Sequence, residues 1–371
     1  MSALFSPITL AKTTFANRIV VSPMCQYSAP EGCAAPWHMQ HLGQYAMSGA
    51  GLVIAEATAV EPAGRITPTC LALYNDAQEE ALARTLEVCR AAGPAKLGIQ
   101  LGHAGRKASC HPPWIQGGGA LSPEEGAWTV LAPSAVPYDE TRPTPQALDL
   151  EGLERITAAF ADSTRRAARL GFDVVELHAA HGYLLHSFLS PLTNRREDEY
   201  GGSLENRMRF PLAVAAAMRA VWPTERALGA RVNAGDFSEG GATVDDAIVF
   251  ARELKRIGFD YVCVSSGSLS GGQRFNSYPG YLLGDSARIR KEAGIATQTV
   301  GLITDPAMAE EAIASGKTDM VAMARAFLDD PRWVWRAAET LGVAIDYPPQ
   351  YAPIKPGRWP GAQRRLPVAA Q

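Results

Sequence analysis

Residues 171–183 read GFDVVELHAAHGY, and they contain one complete example of the pattern that predicts the fold. A glycine ends the preceding helical stretch, an apolar run follows it, and two histidines and a tyrosine come directly after that run. Apolar runs with little internal alternation are typical of parallel strands that are covered on both faces. The segment therefore predicts a buried strand with polar residues at its carboxyl end.

Seven further runs of this kind occur along the chain. The eight predicted strands cover residues 18–21, 52–56, 97–101, 174–178, 230–233, 261–265, 298–301 and 320–324. Apolar residues at helical spacing predict helices between them, over residues 150–170, 244–257 and 305–315. Glycines just before a strand predict left-handed helix caps, and they are Gly93, Gly171, Gly258, Gly294 and Gly316.

Eight strand–helix units predict an α/β fold, a closed (β/α)8 TIM barrel. An open doubly wound sheet is the alternative, but no Gly-x-Gly-x-x-Gly follows the first strand, as a dinucleotide-binding sheet of that kind would require. Two long segments, 111–147 after the third strand and 266–284 after the sixth, are expected to form lids over the carboxyl ends of the strands. We predict a single domain over residues 1–371, with an extended tail from about 344 to 371.

The composition excludes several classes of protein. The 371 residues are 47% hydrophobic, and 35 basic against 38 acidic residues give a net charge of −3. Such a chain can bury enough apolar surface to fold. It lacks the excess of basic residues that is typical of nucleic-acid-binding proteins. It also lacks an uninterrupted apolar stretch of ~18 residues, so no membrane-spanning helix is predicted. Six cysteines without a Cys-x-x-Cys pair indicate reduced thiols, and with no secretory signal at the start we expect a cytoplasmic protein.

Active sites of such barrels form at the carboxyl ends of the strands. His178 and His181 follow the fourth strand and can both face the barrel axis, where they could donate hydrogen bonds to an anion or a carbonyl oxygen. They could also bind Zn²⁺ with His103 as a third ligand, or be purely structural; spacing alone leaves these alternatives open. Tyr183 is a candidate proton donor, because a phenol with a pKa near 10 is protonated at neutral pH.

Other strand ends favour a phosphate-bearing cofactor. Gly301 and Arg325 follow the seventh and eighth strands, where barrels often bind phosphate. Arg231, after the fifth strand, puts a cation in the barrel mouth that needs an anionic partner, and reduced flavin would meet that need. Only Glu56 and Asp236 could serve as carboxylate ligands or bases, which gives metal chemistry and glycoside hydrolysis poor support.

The chain resembles the old yellow enzyme family (NADH:flavin oxidoreductase/NADPH dehydrogenase), in its thermophilic-like, xenobiotic-reductase branch, from Leu4 to about Tyr351. The motifs that carry the resemblance are NRIV at 17–20, SPMCQY at 22–27, EATAV at 56–60, GRIT at 64–67, QLGHAGRK at 100–107, HAAHGYL at 178–184 and DEYGGSLENR at 198–207. Such a resemblance implies an FMN-binding barrel.

The resemblance also implies a role for each site residue. His178 and His181 would bind the carbonyl or nitro oxygen of the substrate, Tyr183 would donate a proton, and Tyr27 would be a second phenol at the substrate. Cys25 would tune the flavin potential. Non-covalent FMN would be held by Ser22, Pro23, Met24, Cys25, Ala57, Gln100 and Arg231, and its phosphate by Gly301, Ala324 and Arg325.

The implied activity is that of an ene-reductase. Hydride would pass from NADPH or NADH through FMN to the β-carbon of an α,β-unsaturated carbonyl or nitro compound, while Tyr183 protonates the α-carbon. The expected assembly is a homodimer or homotetramer, and relatives in this branch often extend an arginine near the C-terminus into a neighbouring active site; the nearest here is Arg358. The alternatives are a zinc-dependent barrel hydrolase and a non-catalytic flavin-binding protein.

Overall fold

The computed structural model describes residues 2–273 and 276–359. Eight parallel strands in this part of the chain close into a barrel in which neighbours in sequence are neighbours in space. The strands are β1 (Ile19–Val21), β2 (Leu52–Ala59), β3 (Lys96–Gly102), β4 (Val174–Ala179), β5 (Ala227–Asn233), β6 (Tyr261–Ser265), β7 (Ala296–Thr299) and β8 (Met320–Met323). All eight strand predictions and the TIM-barrel prediction are confirmed, and the doubly wound alternative is wrong.

Helices surround the barrel and connect its strands. They are α1 (Pro36–Ala46), α2 (Asp76–Ala92), α3 (Leu150–Arg169), α4 (Leu184–Leu189), α5 (Leu204–Val221), α6 (Val244–Ile257), α7 (Leu283–Ala293), α8 (Pro306–Ala314), α9 (Arg325–Asp329) and α10 (Trp333–Thr340). Short 3₁₀ helices lie at Pro30–Gly32, Pro62–Gly64, Gly105–Lys107, Gln116–Gly118, Pro123–Glu125 and Pro349–Ile354. The predicted bounds of α3, α6 and α8 are correct to within one residue at each end.

Four of the five predicted glycine caps are left-handed. Gly258 caps α6 with φ +106, and Gly171, Gly294 and Gly316 also have positive φ. Gly93 is the exception, because its φ of −171 is ordinary extended backbone. A glycine is needed there for space instead, since a Cβ would lie 2.1 Å from the carbonyl oxygen of Ala46.

A short hairpin packs on the apolar interior at the amino ends of the barrel strands. Strands Ile8–Leu10 and Thr13–Phe15 pair antiparallel, and Phe15 is only 1% exposed. The hairpin is tied to β5 by a hydrogen bond from the Ala227 N–H to Thr13 Oγ1 at 3.2 Å. Its apolar side chains join a cluster of inward-facing residues that includes Val20, Leu52, Val174 and Met320.

The opposite end of the barrel carries the two long segments. The first includes a small parallel ribbon, Leu131–Ala132 with Gln146–Ala147. Buried Arg106 donates to the carbonyls of Val136 and Pro137 in this segment and to that of Leu269 in the segment after β6. One guanidinium therefore joins both segments at the barrel mouth, where the sequence places them.

The tail differs from the extended chain that its prolines predict. Residues Pro349–Ile354 form a 3₁₀ helix, and Tyr351 packs edge-on against Trp335 of α10 at 5.4 Å between ring centroids. Arg358 is exposed, and residues 360–371 lie outside the described residues. None of the helices in residues 2–273 and 276–359 has the length and apolar character needed to cross a membrane.

Candidate active site

Three side chains predicted to be catalytic converge at the end of β4. His178 lies on the strand itself, 4% exposed, and its ring stands nearly perpendicular to those of His181 and Tyr183, with centroids 5.1 Å and 4.7 Å away. His178 and Tyr183 line one cavity together with Ala57 of β2 and with Ile66 and Cys70. His178 and Tyr183 therefore face one space, and the ring of His181 packs against that of His178 beside it.

The loop after β4 holds His181 in the left-handed region, with φ +60. Such a backbone costs ~1–3 kcal/mol in a non-glycine residue and persists only where neighbours over-determine it. Here the N–H of His181 donates to Asn233 Oδ1 at 3.1 Å, its Nε2 pairs with Ser265 Oγ at 2.7 Å, and its carbonyl accepts from Lys107 Nζ at 2.8 Å. Groups from three elements therefore impose the orientation of this ring.

Both histidines are held in the neutral form. Burial lowers the pKa of His178 well below its ordinary value, and the charges of Arg231 and Lys107 lower it further. The pKa of His181 is lowered well below its usual range for the same reasons. Because Nδ1 of His178 accepts the N–H of Ala180 at 3.2 Å, the neutral ring carries its proton on Nε2. His178 can therefore donate a hydrogen bond to a ligand oxygen without being charged.

The phenols and the thiol of the site are also held protonated. Burial raises the pKa of Tyr183 well above its ordinary value, and the neighbouring Cys25 and Tyr27 raise it further. Burial and the carboxylate of Glu56 raise the pKa of Cys25, so this thiol is not a thiolate nucleophile at neutral pH. Tyr27, which packs edge-on against Trp114 at 5.6 Å, has a raised pKa through burial as well.

A second cavity of about 300 Å³ lies beside this group, at the ends of β1, β5, β7 and β8. Five of the predicted cofactor-binding residues line it together, namely Ser22, Arg231, Gly301, Ala324 and Arg325. The hydroxyl of Ser22 and Nε of Arg231 are buried and have no hydrogen-bond partner among the described residues. Buried polar atoms of this kind need a ligand, and a cavity lined by Arg231 and Arg325 fits the phosphate-bearing, anionic group that the resemblance implies.

The remaining predicted contacts approach from neighbouring strands. Pro23, Met24 and Cys25 follow β1 directly, and Gln100 lies near the end of β3. The pairing of β2 with β3 shifts between Ala55 and Ala57. Such a bulge changes the direction of the side chains that follow it, and it places Ala57 in the wall of the cavity that holds His178.

Both carboxylates considered as ligands or bases have structural partners. Glu56 accepts the N–H of Gln26 at 3.0 Å and pairs with His38 at 3.2 Å, which ties down the loop that carries Cys25. Asp236 is fully buried, accepts from Ser190 at 2.7 Å and pairs with His186 at 3.0 Å. Neither carboxylate is left available to a substrate.

The zinc alternative finds no support in the geometry. Nε2 of His103 pairs with Glu61 at 2.9 Å and its Nδ1 accepts the N–H of Gly105 at 3.0 Å, so both ring nitrogens are engaged. Among the described residues, no three His, Cys, Asp or Glu side chains are grouped so that they could hold a metal ion.

Sequence reasoning gave no role to two residues that shape the site. Lys107 donates to the carbonyls of His181 and Ser268 and stands 4.9 Å from the ring centroids of both Tyr138 and Tyr183. Asn233 joins the loops after β4 and β6, because its Nδ2 also donates to the carbonyl of Gly267 at 3.2 Å. The position of Asn233 at a strand end was a usable indication, whereas only the folded loops show what Lys107 contacts.

Comparisons with known protein sequences identify a family of flavin-dependent oxidoreductases. The sequence model of the NADH:flavin oxidoreductase / NADH oxidase family matches residues 3–343. The NADPH dehydrogenase of Geobacillus thermodenitrificans (strain NG80-2) is 43% identical over 352 residues, which are 94% of this chain and 98% of that protein. The NADPH dehydrogenase of Bacillus subtilis (strain 168) is 42% identical over 350 residues, again 94% of this chain and 98% of the relative.

Solved structures show the same similarity. A structure of morphinone reductase superimposes with a TM-score of 0.77 at 29% identity, over 94% of this chain and 92% of that one. A 2-naphthoyl-CoA reductase complex superimposes with a TM-score of 0.81 at 24% identity and shares the barrel fold. The similarity there covers 92% of this chain and 52% of the reductase.

Proposed function

Because this chain belongs to the NADH:flavin oxidoreductase / NADH oxidase family, we propose that it is an ene-reductase that reduces the activated C=C bond of α,β-unsaturated carbonyl or nitro compounds. Its coarser activity follows from the family: it is an FMN-dependent oxidoreductase with NAD(P)H as the hydride donor. One observation carries the finer proposal. The ring of His178, a neutral imidazole donor, lies beside the protonated phenol of Tyr183, with 4.7 Å between the ring centroids.

The polar cavity at the ends of β7 and β8 is the proposed phosphate end of the cofactor site. Gly301, Ala324 and Arg325 would hold the phosphate, and Ser22, Pro23, Met24, Cys25, Ala57, Gln100 and Arg231 the ring system. Bound FMN supplies the chemistry of accepting a hydride from NAD(P)H and passing it to an electron-poor carbon. The unpartnered Nε of buried Arg231 supports this placement, because a permanent cation out of water needs an anionic partner.

The histidines are proposed to bind the oxygen of the substrate's carbonyl or nitro group. An N–H donor aimed at an oxygen on which negative charge develops stabilises that charge by ~2.7–4 kcal/mol. His178 suits this role because its Nε2 carries the proton while its Nδ1 is occupied by the N–H of Ala180. His181 is already oriented by Ser265 and Asn233, so little ordering is needed when a substrate enters.

Tyr183 is proposed to protonate the α-carbon. Its raised pKa keeps the proton on the phenol at neutral pH. Nζ of Lys107 lies 4.9 Å from the ring centroid, and burial and the charge of Arg106 lower the pKa of Lys107 to about 7; when this amine is protonated, it is a cation near the negative charge that forms as the proton leaves. Tyr27 lies in the same mouth as a second phenol, and Cys25 lies beside it as a protonated thiol.

Replacing Tyr183 by Phe separates the two half-reactions. We expect Tyr183→Phe to slow the oxidative half-reaction with 2-cyclohexenone by ~10²–10⁴-fold, the usual contribution of a positioned general acid. Reduction of the bound flavin by NADPH requires no proton on carbon and should stay within a few-fold of wild type. Anaerobic stopped-flow absorbance of the flavin measures both rates.

Tyr200→Phe is the matched control, since it removes a phenol outside the mouth and should change neither rate. An equal loss in both half-reactions of Tyr183→Phe would contradict the proton-donor role. Flavin that is bleached by NADPH and never recovers with any enone or nitroalkene would leave a flavin reductase with a different acceptor. The homo-oligomeric assembly and cytoplasmic location stay predictions from the sequence.

A further inference from the structure

A buried polar layer crosses the barrel just below the candidate site. Glu176 in the middle of β4 is fully buried. Its Oε1 accepts from Gln100 Nε2 at 2.7 Å and its Oε2 accepts from the Tyr261 hydroxyl at 3.0 Å. Gly229 faces both strands in register, and a Cβ there would lie 2.1 Å from the ring of Tyr261. The missing side chain on β5 is what lets this phenol reach the carboxylate.

The residues of this layer lie directly beneath residues of the candidate cofactor site. Arg231 follows Gly229 by two positions on β5 and therefore shares its face, one level nearer the mouth. His178 follows Glu176 in the same way on β4 and is in register with Arg231. Gln100 connects this polar layer with the cofactor site above it. Its amide donates a hydrogen bond to Glu176, and the family resemblance implies that it also contacts the cofactor.

The charge of Glu176 is opposed by burial and supported by its neighbours. Burial raises the pKa of Glu176 above its ordinary value, and the charge of Arg231 and the hydrogen bonds from Gln100 and Tyr261 offset only part of that rise. Barrel interiors are usually filled by branched apolar residues, so a carboxylate here costs stability that apolar packing would not. A buried carboxylate with two donors and a nearby guanidinium is the arrangement expected for an ion that balances the charge of Arg231.

We propose that Glu176 is a positioning residue of the cofactor site: as an ionised carboxylate it orients the Gln100 amide and partly neutralises Arg231, and it thereby lowers the reduction potential of bound FMN. The inference rests on the proposed placement of Arg231 against the cofactor. With Glu176 neutral, Arg231 would exert its full attraction on the negative charge of the reduced cofactor, and reduction would become more favourable. The carboxylate therefore keeps the reduced enzyme a stronger hydride donor.

The midpoint potential of bound FMN tests this role in the purified holoenzyme. Glu176→Gln removes the charge at nearly constant volume and should shift the equilibrium toward reduced FMN by about tenfold, or ~30 mV for a two-electron couple. Tyr261→Phe keeps the carboxylate but removes one of the hydrogen bonds that lower its pKa, so any positive shift should be smaller than that of Glu176→Gln. Glu176→Asp, which keeps the charge, should also stay near the wild-type potential.

An unchanged potential in FMN-loaded Glu176→Gln would overturn the proposal. If that variant fails to fold, the double variant Glu176→Met/Tyr261→Phe replaces the buried charge and its hydroxyl partner by apolar groups of similar volume, a change that buried networks often tolerate. The same positive shift is expected there, and its absence would be equally decisive. A wild-type holoenzyme that fails to reduce enones contradicts the proposed function but leaves this measurement intact.

Discussion

The two ends of the barrel are built from the same strands and differ in how completely their side chains are satisfied. At the amino ends, Phe15 and Leu10 of the hairpin pack with Val20, Leu52 and Val174 in an apolar cluster. At the carboxyl ends, Ser22 and Arg231 bury polar atoms that have no partner among the described residues, and His181 adopts a left-handed backbone.

The difference shows where this fold gains stability and where it gives stability up. Apolar burial contributes roughly 25 cal/mol per Å², so the closed end favours folding. Unpaired buried polar atoms and strained backbone each cost ~1–3 kcal/mol. Costs of that kind are typical of sites kept ready for a ligand, and they lie at the mouth where the cofactor is expected.

The strongest test of this division is a cavity made at the closed end. Phe15→Ala should lower the free energy of unfolding by ~3–5 kcal/mol, because the ring is 1% exposed. The FMN affinity and potential of the folded variant should stay at wild-type values. Denaturant unfolding and flavin titration measure the two effects, with Leu150→Ala, 56% exposed, as the control that should cost little. A weakened flavin site in Phe15→Ala would show that the two ends are coupled.

The second test removes a polar group from the mouth. His178→Ala should lower kcat/KM for enones by ~10²–10³-fold through the loss of one oxyanion donor. Because the ring also accepts the N–H of Ala180, some loss in the free energy of unfolding is expected, but a smaller one than that of Phe15→Ala. Steady-state kinetics and unfolding curves are compared with those of His111→Ala, which removes a histidine paired with Glu125 in the first long loop. A stability loss as large as that of Phe15→Ala would mean that His178 is chiefly a packing residue.

The smallest effect is on the pH dependence of stability. His178 and His181 stay neutral in the fold, so as the pH falls the unfolded chain, with ordinary histidine pKa values near 6.5, binds their protons first. The stability that this contributes is complete above pH ~6.5 and is lost below it, by at most ~1.4 kcal/mol per pH unit for each histidine. His178→Gln should make the acid limb shallower, whereas Phe15→Ala should lower the whole curve and keep its shape. Unfolding curves from pH 4 to 8 distinguish these results, and an unchanged acid limb in His178→Gln would contradict the assignment.

Local patterns account for the elements that were predicted correctly. The strand over residues 261–265 and the helix over residues 244–257 have the predicted bounds, because a buried parallel strand and an amphipathic helix each impose a period that a short window reveals. The cap at Gly258 follows from the same local chemistry. Gly93 shows the limit, since its glycine is required by the carbonyl of Ala46, 47 residues earlier in the chain.

The candidate site divides in the same way. The convergence of His178, Tyr183 and Arg231 could be predicted, because every strand of a parallel barrel ends at the same face. The conformation of the tail could not be predicted, because Tyr351 packs on Trp335 and a 3₁₀ helix replaces the extended backbone that the prolines favour. The contacts of Lys107 could not be predicted either, because its partners lie in loops of irregular backbone.

The sequence by itself determined the barrel, its order of strands and the set of polar residues at its mouth. Apolar runs and helical spacing reveal the buried strands and the helices between them, and the polar residues that follow each strand lie at the shared carboxyl end of a parallel barrel. Only the tertiary structure decided which of those side chains have protein partners: Glu56, Asp236 and His103 pair with other side chains. The Ser22 hydroxyl and Nε of Arg231 are buried without a hydrogen-bond partner among the described residues. The tertiary structure also placed Glu176 between Gln100 and Tyr261. Hydrogen-bond partners far apart in the chain depend on strand register and on the space that glycines such as Gly229 leave, and a linear pattern contains neither.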